Sequence, residues 1–137
     1  MSNQSGWDID FSGLMQKYSS RLDDFVKMLG LRALSSVVAK SPVDTGRFRG
    51  NWHVSFNKQD MTQFELLDPT GAIALSTGQA VLDAFDSGVE AIYIQNSLPY
   101  AMKLESGHSK QAPMGMVRVT ATEIQGWIDE ISRELNR

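Results

Sequence analysis

Residues 40–52 read KSPVDTGRFRGNW, and the periodicity of the chain changes within them. Apolar residues recur at helical spacing before this stretch and alternate with polar residues from Phe48 onward. Pro42 predicts the end of the helix because its ring disfavours the α conformation at the preceding residue. The stretch also contains Asp44-Thr45-Gly46, the D-T-G tripeptide that surrounds an aspartic-protease carboxylate. It therefore predicts either a catalytic acid or a turn between two elements.

The neighbouring residues favour the turn. An aspartic protease needs two carboxylates that share a proton, so a chain with one D-T-G would have to dimerise. The cation of Arg47 would oppose that sharing because it favours ionised carboxylates. We expect Pro42, Asp44 and Gly46 to form a structural turn, with Asp44 accepting a backbone hydrogen bond and Gly46 supplying an unusual dihedral angle. A dimeric protease that uses Asp44 stays open as an alternative.

The composition is that of a globular domain. The chain has 137 residues, of which 42% are hydrophobic and 21% charged, so we expect a single domain over residues 1–137, with residues 1–10 as a flexible arm. The absence of cysteine excludes disulfides and thiolate chemistry. Neither a secretory signal pattern nor an apolar run of membrane-spanning length occurs in the sequence. We therefore expect a soluble, non-secreted protein.

Helical periodicity predicts that the longest element covers residues 11–40. About 29 residues at 1.5 Å each would span roughly 43 Å, more than the diameter of a domain of this size. Either Gly30 marks a bend, or one end projects and packs on another subunit. The apolar stripe consists of Phe11, Leu14, Met15, Tyr18, Leu22, Phe25, Val26, Leu29, Leu34, Val37 and Val38.

The alternation from Phe48 predicts a half-buried strand whose outer face is polar and basic. Residues 64–67 are a possible partner strand, and residues 89–95 predict a second, central strand. The basic outer face supplies a candidate subunit interface. Its residues are Arg47, Arg49 and His53. An ordinary solvated face and sequence-nonspecific contact with nucleic acid are the alternatives.

The second half of the chain predicts a shorter helix over residues 72–85, a short helix over residues 98–105 and a terminal helix from Met116 or Val117. The loop before the terminal helix has no periodicity and is either a plain connector or a docking loop. Methionine adapts to varied surfaces, and proline limits the entropy lost on ordering. The candidate docking residues are His108, Ser109, Lys110, Gln111, Pro113, Met114 and Met116.

Charge is unevenly distributed along the chain. Residues 59–102 contain no Lys or Arg, whereas basic residues lie on either side of them. If the fold separates these blocks, the surface suits head-to-tail association; if it scatters them, it does not. The two histidines and a single E-x-x-H do not make a metal site, and phosphate-binding and nucleophile-elbow motifs are lacking. We therefore predict no catalytic residue, metal or cofactor.

Three segments carry a family resemblance. Residues 42–52 match a P-x-D-T-G-x-L/F-R-x-S/N-W pattern through Pro42, Asp44, Thr45, Gly46, Phe48, Arg49, Asn51 and Trp52. An N-x-x-P-Y-A-x-x-L/I-E-x-G run is matched by Asn96, Pro99, Tyr100, Ala101, Leu104, Glu105 and Gly107. An S-x-x-A-P-x-G-M run is matched by Ser109, Ala112, Pro113, Gly115 and Met116. In this order they resemble the neck or tail-completion (minor tail) family of long-tailed bacteriophages and prophages.

The resemblance implies an α+β fold in which a small, mainly antiparallel sheet is packed by a long N-terminal and a C-terminal helix. It also implies a structural, non-enzymatic virion protein, assembled in the host cytoplasm. Such a protein forms a ring at the head–tail junction, expected to be hexameric, and contacts adjacent neck and tail proteins and, transiently, double-stranded DNA. A tail-terminator ring is the nearest alternative. Asp83 and Asp86 are candidate channel-facing residues because like charge would keep DNA from adhering.

Overall fold

The computed structural model describes residues 22–86, 88–106 and 115–135. The elements in chain order are α1 (Leu22–Lys40), α2 (Arg47–Gly50), β1 (Trp52–Phe56), α3 (Ala72–Asp83), β2 (Ile92–Asn96), α4 (Ala101–Glu105) and α5 (Val117–Leu135). The strands pair antiparallel, with Trp52 opposite Asn96 and Phe56 opposite Ile92. This confirms the predicted α+β class, with a small antiparallel sheet packed by helices.

Helix α3 packs closely against α1, and two glycines make that approach possible. A Cβ on Gly30 of α1 would lie 2.8 Å from a methyl of Leu82. A Cβ on Gly78 of α3 would meet the side chain of Leu34 in the same way. Glycine at 78 weakens the helix locally, but it lets the two backbones approach.

Helix α5 runs back along α1 and is joined to it by polar contacts at the edge of an apolar seam. Ion pairs link Arg32 to Glu130 and Lys40 to Glu123, each at 2.9 Å. The Oγ of Ser36 lies 2.8 Å from Oγ1 of the buried Thr120. The apolar seam beneath them is formed by Phe25, Val26, Leu29, Phe85, Ile124 and Ile131.

The predicted strand from Phe48 is wrong in its first half. Residues Arg47–Gly50 form one helical turn, and the strand begins only at Trp52. Residues 64–67 do not form a strand either. The buried side chain of Asn51 takes the place of a strand partner: the N–H of Phe64 donates to Asn51 Oδ1 at 2.7 Å, and Asn51 Nδ2 donates to the carbonyl oxygen of Phe64 at 3.0 Å.

The bounds of the other elements differ less from the predicted ones. In the described part of the chain, β2 pairs with β1 alone, so it is not a central strand. Helix α3 ends at Asp83, α4 begins at Ala101, and α5 begins at Val117 as predicted. The part of the predicted long helix before Leu22 and the arm over residues 1–10 lie outside the described residues. None of the helices in the described ranges combines the length and apolar character that crossing a membrane requires.

Candidate functional site

Gly46 shapes the turn after α1, as the sequence predicts. Its φ is 89°, and a Cβ there would lie 2.7 Å from the backbone nitrogen of Asp68. The carbonyl oxygen of Gly46 accepts hydrogen bonds from the N–H of Gly50 at 2.9 Å and from that of Asp68 at 3.1 Å. Both the dihedral angle and the close approach of another segment therefore require glycine at this position.

The expected role of Asp44 is wrong. Asp44 is exposed, and its carboxylate has no hydrogen-bond partner among the residues that the structure describes. Thr45 makes the side-chain hydrogen bond of the turn instead: its Oγ1 accepts from the N–H of Arg47 at 3.3 Å. Pro42 follows the end of α1 and is half-buried. The turn thus depends on Gly46 and Thr45 more than on the acid.

Arg49 caps the end of α1. Its Nη2 donates to the carbonyl oxygens of Ser41 at 2.7 Å and Ala39 at 3.3 Å, and its Nη1 donates to that of Pro69 at 3.0 Å. The last carbonyls of a helix have no partner within it and carry the negative end of its dipole. The guanidinium group donates hydrogen bonds to such carbonyls and brings a positive charge to the negative end of the dipole. Arg49 therefore holds the end of α1 and the turn before α3 together.

Arg47 is also engaged within the subunit. Its Nη2 lies 3.2 Å from Oε2 of Glu65, which belongs to the segment 59–102 that contains no Lys or Arg, so the fold brings a basic and an acidic part of the sequence together here. The Nε atoms of Arg47 and Arg49 are buried and have no hydrogen-bond partner within the described ranges.

His53 does not lie on an exposed basic face. It is only 7% exposed. Its Nδ1 lies 2.9 Å from the carbonyl oxygen of Asn51, its Nε2 contacts that of Asp60, and its ring packs edge-on against Phe64. The expectation that Arg47, Arg49 and His53 share one solvent-facing strand surface is therefore wrong.

Asp60 anchors the loop that covers His53. Its Oδ1 accepts hydrogen bonds from the hydroxyl and the N–H of Thr62. These bonds, the hydroxyl first, stabilise the charged form and lower the pKa of Asp60 below its ordinary value of 3.8, with a smaller contribution from His53.

The first and third motif segments meet at Ser41. Its Oγ donates to the carbonyl oxygen of Val37 at 2.6 Å and accepts from Nε1 of Trp52 at 2.6 Å. The sulfur of Met116 lies 3.4 Å from the same Oγ. Met116 is 1% exposed, so its predicted docking role is wrong, and it belongs to the core. The other candidate docking residues, residues 108–114, lie outside the described residues.

The second motif segment joins the same place. Asn96 Nδ2 donates to the carbonyl oxygen of Phe48 at 2.8 Å, and Asn96 Oδ1 accepts from the N–H of Leu98 at 3.2 Å. The ring of Phe48 contacts those of Trp52 and Tyr100, with centroids 5.9 and 5.8 Å away. Asn96 therefore fixes the chain after β2 against α2.

Glu105 connects the second segment to the third. Its Oε1 accepts hydrogen bonds from the N–H groups of Met116 at 2.9 Å and Val117 at 2.8 Å, the first free donors of α5. Gly115 has a φ of 85°, and a Cβ there would lie 2.6 Å from the carbonyl oxygen of Glu105. A carboxylate at the positive end of the helix dipole also stabilises α5.

Residues of the three segments, Met116 among them, line a small pocket of about 30 Å³. It is lined among others by Phe48, Trp52, Ile94, Met102, Glu105 and Met116. That volume holds one or two water-sized groups. Of the polar side chains that line it, Asn96 and Glu105 bind backbone groups, and Gln95 Nε2 donates to the Oγ of Ser97 at 3.1 Å, so the contacts that these side chains make are those of structural support.

Sequence reasoning missed Asp68. It is 3% exposed, and its Oδ2 accepts from the N–H of Ala74 in the first turn of α3 at 2.9 Å. An acid just before a predicted helix is a helix-start signal, although Asp68 acts from beyond the usual capping position.

The candidate channel-facing residues Asp83 and Asp86 are exposed at and beyond the C-terminal end of α3. No group of three acidic or histidine residues in the described ranges is placed to hold a metal ion.

No protein-family model, curated protein or solved structure matches the chain.

Proposed function

We propose that the protein is a structural virion protein of a long-tailed bacteriophage or prophage. In this proposal it forms a ring that completes the tail at the head–tail junction, with DNA passing through. Its partners are identical copies, adjacent neck and tail proteins and, transiently, double-stranded DNA.

One observation supports the proposal: in the described part of the chain, residues of the three segments that resemble the neck and tail-completion family contact one another, the third through Gly115 and Met116 alone. Phe48 of the first segment contacts Tyr100 of the second, and Glu105 of the second binds the backbone of Met116 in the third. Residues far apart in the sequence thus lie together in the fold, as we expect if the three segments serve one structural role. Polar side chains at this place bind backbone groups or Trp52, which is a supporting role that a ring subunit could use.

A null mutation in the gene tests the role in the phage or prophage that encodes it. We expect no infectious particles and separate heads and tails in the lysate, with titre restored by the intact gene in trans. Cryo-electron microscopy of complemented particles should show the protein as a ring where tail meets neck. A normal titre without the protein, or density elsewhere on the particle, would contradict the proposal. A ring confined to the tail end would indicate a terminator.

Complementation with Asp44→Asn separates the ring from a protease. The ring tolerates this change because Asp44 is exposed and its carboxylate has no hydrogen-bond partner in the described ranges. A protease that depends on the carboxylate does not. Loss of titre with normal amounts of folded protein would favour the enzyme.

The exposed Asp83 and Asp86 are the residues that we propose to face the channel. Their replacement by lysine should slow DNA ejection, because DNA would then adhere to the channel wall, while rings still form. Ejection at the normal rate from such particles would remove this assignment.

A further inference from the structure

The segment 62–68 contacts α2 and the start of β1 without belonging to a helix, a strand or a turn. Exposed and more buried residues alternate along it, and this period of two is typical of an extended chain. The exposed residues are Gln63, Glu65 and Leu67, and the more buried ones are Phe64, Leu66 and Asp68. The alternation that predicted a strand over residues 64–67 is therefore present, although a neighbouring strand is not.

The inner side of this segment is hydrogen-bonded to the fold. The fully buried Asn51 accepts from the N–H of Phe64 at 2.7 Å and donates to its carbonyl oxygen at 3.0 Å. Both groups of Phe64 must then point the same way, as they do in a β-strand. Further along, the N–H of Asp68 donates to the carbonyl oxygen of Gly46 at 3.1 Å. These contacts hold the segment extended against the turn after α1.

The outer side of the segment lacks such contacts. In an extended chain the backbone groups of successive residues point to opposite sides, so those of Gln63, Glu65 and Leu67 point away from Asn51. Within the described ranges, no hydrogen bond involves the N–H or the C=O of any of these three residues. Leu67 is 64% exposed, and the side chain of Glu65 is 86% exposed. Free backbone groups along an exposed extended chain are a template for the addition of a strand.

The charge of this edge selects among possible strands. The segment lies within residues 59–102, which contain no Lys or Arg. Arg47 contacts only Oε2 of Glu65, and Oε1 of this carboxylate has no partner in the described part of the chain. Pairing with the same segment of a second copy would set two acidic segments side by side, and like charges on opposing strands are destabilising. A Lys or Arg opposite Glu65 is favourable for the same reason.

We propose that residues 62–68 are a docking edge for an extended segment of a partner protein, which adds to it as a β-strand. The segment carries a Lys or Arg opposite Glu65 and an apolar residue opposite Leu67, two residues away on the same face. Backbone hydrogen bonds to Gln63, Glu65 and Leu67 hold the partner, and the side chains of Glu65 and Leu67 provide selectivity. The inference goes beyond the proposed function and does not rest on it, because it follows from the unpaired backbone groups.

Nuclear magnetic resonance with a synthetic strand tests the docking edge. The probe is the heptapeptide Thr-Leu-Thr-Lys-Thr-Leu-Thr with blocked ends, which presents a leucine two positions from the lysine in either chain direction. We expect it to slow hydrogen exchange at the N–H groups of Gln63, Glu65 and Leu67 and to leave exchange in α5 unchanged. A matched probe with glutamate in place of lysine should bind about fivefold more weakly at low ionic strength.

Substitutions of Glu65 separate the backbone from the side chain. Glu65→Ala and Glu65→Pro both remove the carboxylate and its ion pair with Arg47, but only proline also removes the N–H. That N–H is not hydrogen-bonded to any described residue, and an extended Phe64 is compatible with a following proline, so both variants should fold, as circular dichroism can verify. We expect Glu65→Ala to bind both probes alike and Glu65→Pro to bind neither. Glu65→Lys keeps the N–H and should prefer the glutamate probe.

Several results would overturn the inference. If the lysine probe does not protect the three N–H groups, or if Glu65→Pro binds as well as Glu65→Ala, the docking edge is wrong. Equal binding of the two probes by the natural chain would remove the basic partner. Protection of the same N–H groups when the protein alone is concentrated, with a dimer mass in ultracentrifugation, would assign the edge to a second copy instead. These results are independent of the null-mutant titre, which tests the proposed function.

Discussion

Replacing Glu105 should uncouple α4 from α5 and destabilise the protein. Its Oε1 accepts from the N–H groups of Met116 and Val117, where α5 has free donors and a positive dipole end. Loss of a capping side chain costs about 0.5–2 kcal/mol, and loss of the favourable charge costs roughly 0.3–1 kcal/mol more. We therefore expect Glu105→Ala to lower the free energy of unfolding by about 1–3 kcal/mol.

Urea denaturation followed by circular dichroism measures this loss as a shift of the midpoint at constant slope. Glu105→Gln keeps an acceptor oxygen and removes the charge, so it should lose less, and its difference from the natural chain should shrink with added salt. Glu123→Ala is the matched control: it removes an exposed carboxylate paired with Lys40 and should cost at most about 1 kcal/mol. If Glu105→Ala costs no more than Glu123→Ala, the capping role is wrong.

Three further changes test other parts of the structure. Gly46→Ala should cost at least about 1–3 kcal/mol in urea denaturation, because φ is 89° and the new Cβ meets Asp68. Gly126→Ala should instead stabilise α5 by about 0.5–1 kcal/mol, since its Cβ meets no atom of the described residues within 4 Å. Asp44→Ala should change stability by less than about 0.5 kcal/mol; a larger loss in the same assay would restore its structural role. Asp60 has a lowered pKa in the folded state, so its stabilising contribution is present above pH 3.8 and disappears as the pH falls below that value. Asp60→Asn should accordingly reduce the acid-induced fall in melting temperature below pH 3.8, and an unchanged profile would contradict that reasoning.

Much of the fold could be predicted because helical periodicity is local. The end of the long helix before Pro42, the helix over α3 and the start of α5 at Val117 all follow from short-range spacing and breaker residues. The glycine of the D-T-G turn was predictable for the same reason, since a positive φ favours glycine wherever it occurs.

The candidate site was less predictable because its contacts join distant segments. The alternation from Phe48 to Phe56 fitted a strand. Arg47–Gly50 form a helical turn instead, because of the conformation of Gly46 and the close approach of Asp68. The same alternation placed Arg47, Arg49 and His53 on one surface. The spacing of residues in the sequence did not predict which groups these three side chains contact.

The sequence by itself determined where helices end, which residues are apolar enough to form the core, and that the turn after α1 needs a glycine. Only the tertiary structure decided what the polar residues of the motifs do. Arg49 caps a helix that ends nine residues earlier, and Glu105 caps one that begins 12 residues later. A polar group buried by folding must find a partner, and which partner is nearby depends on how the elements pack.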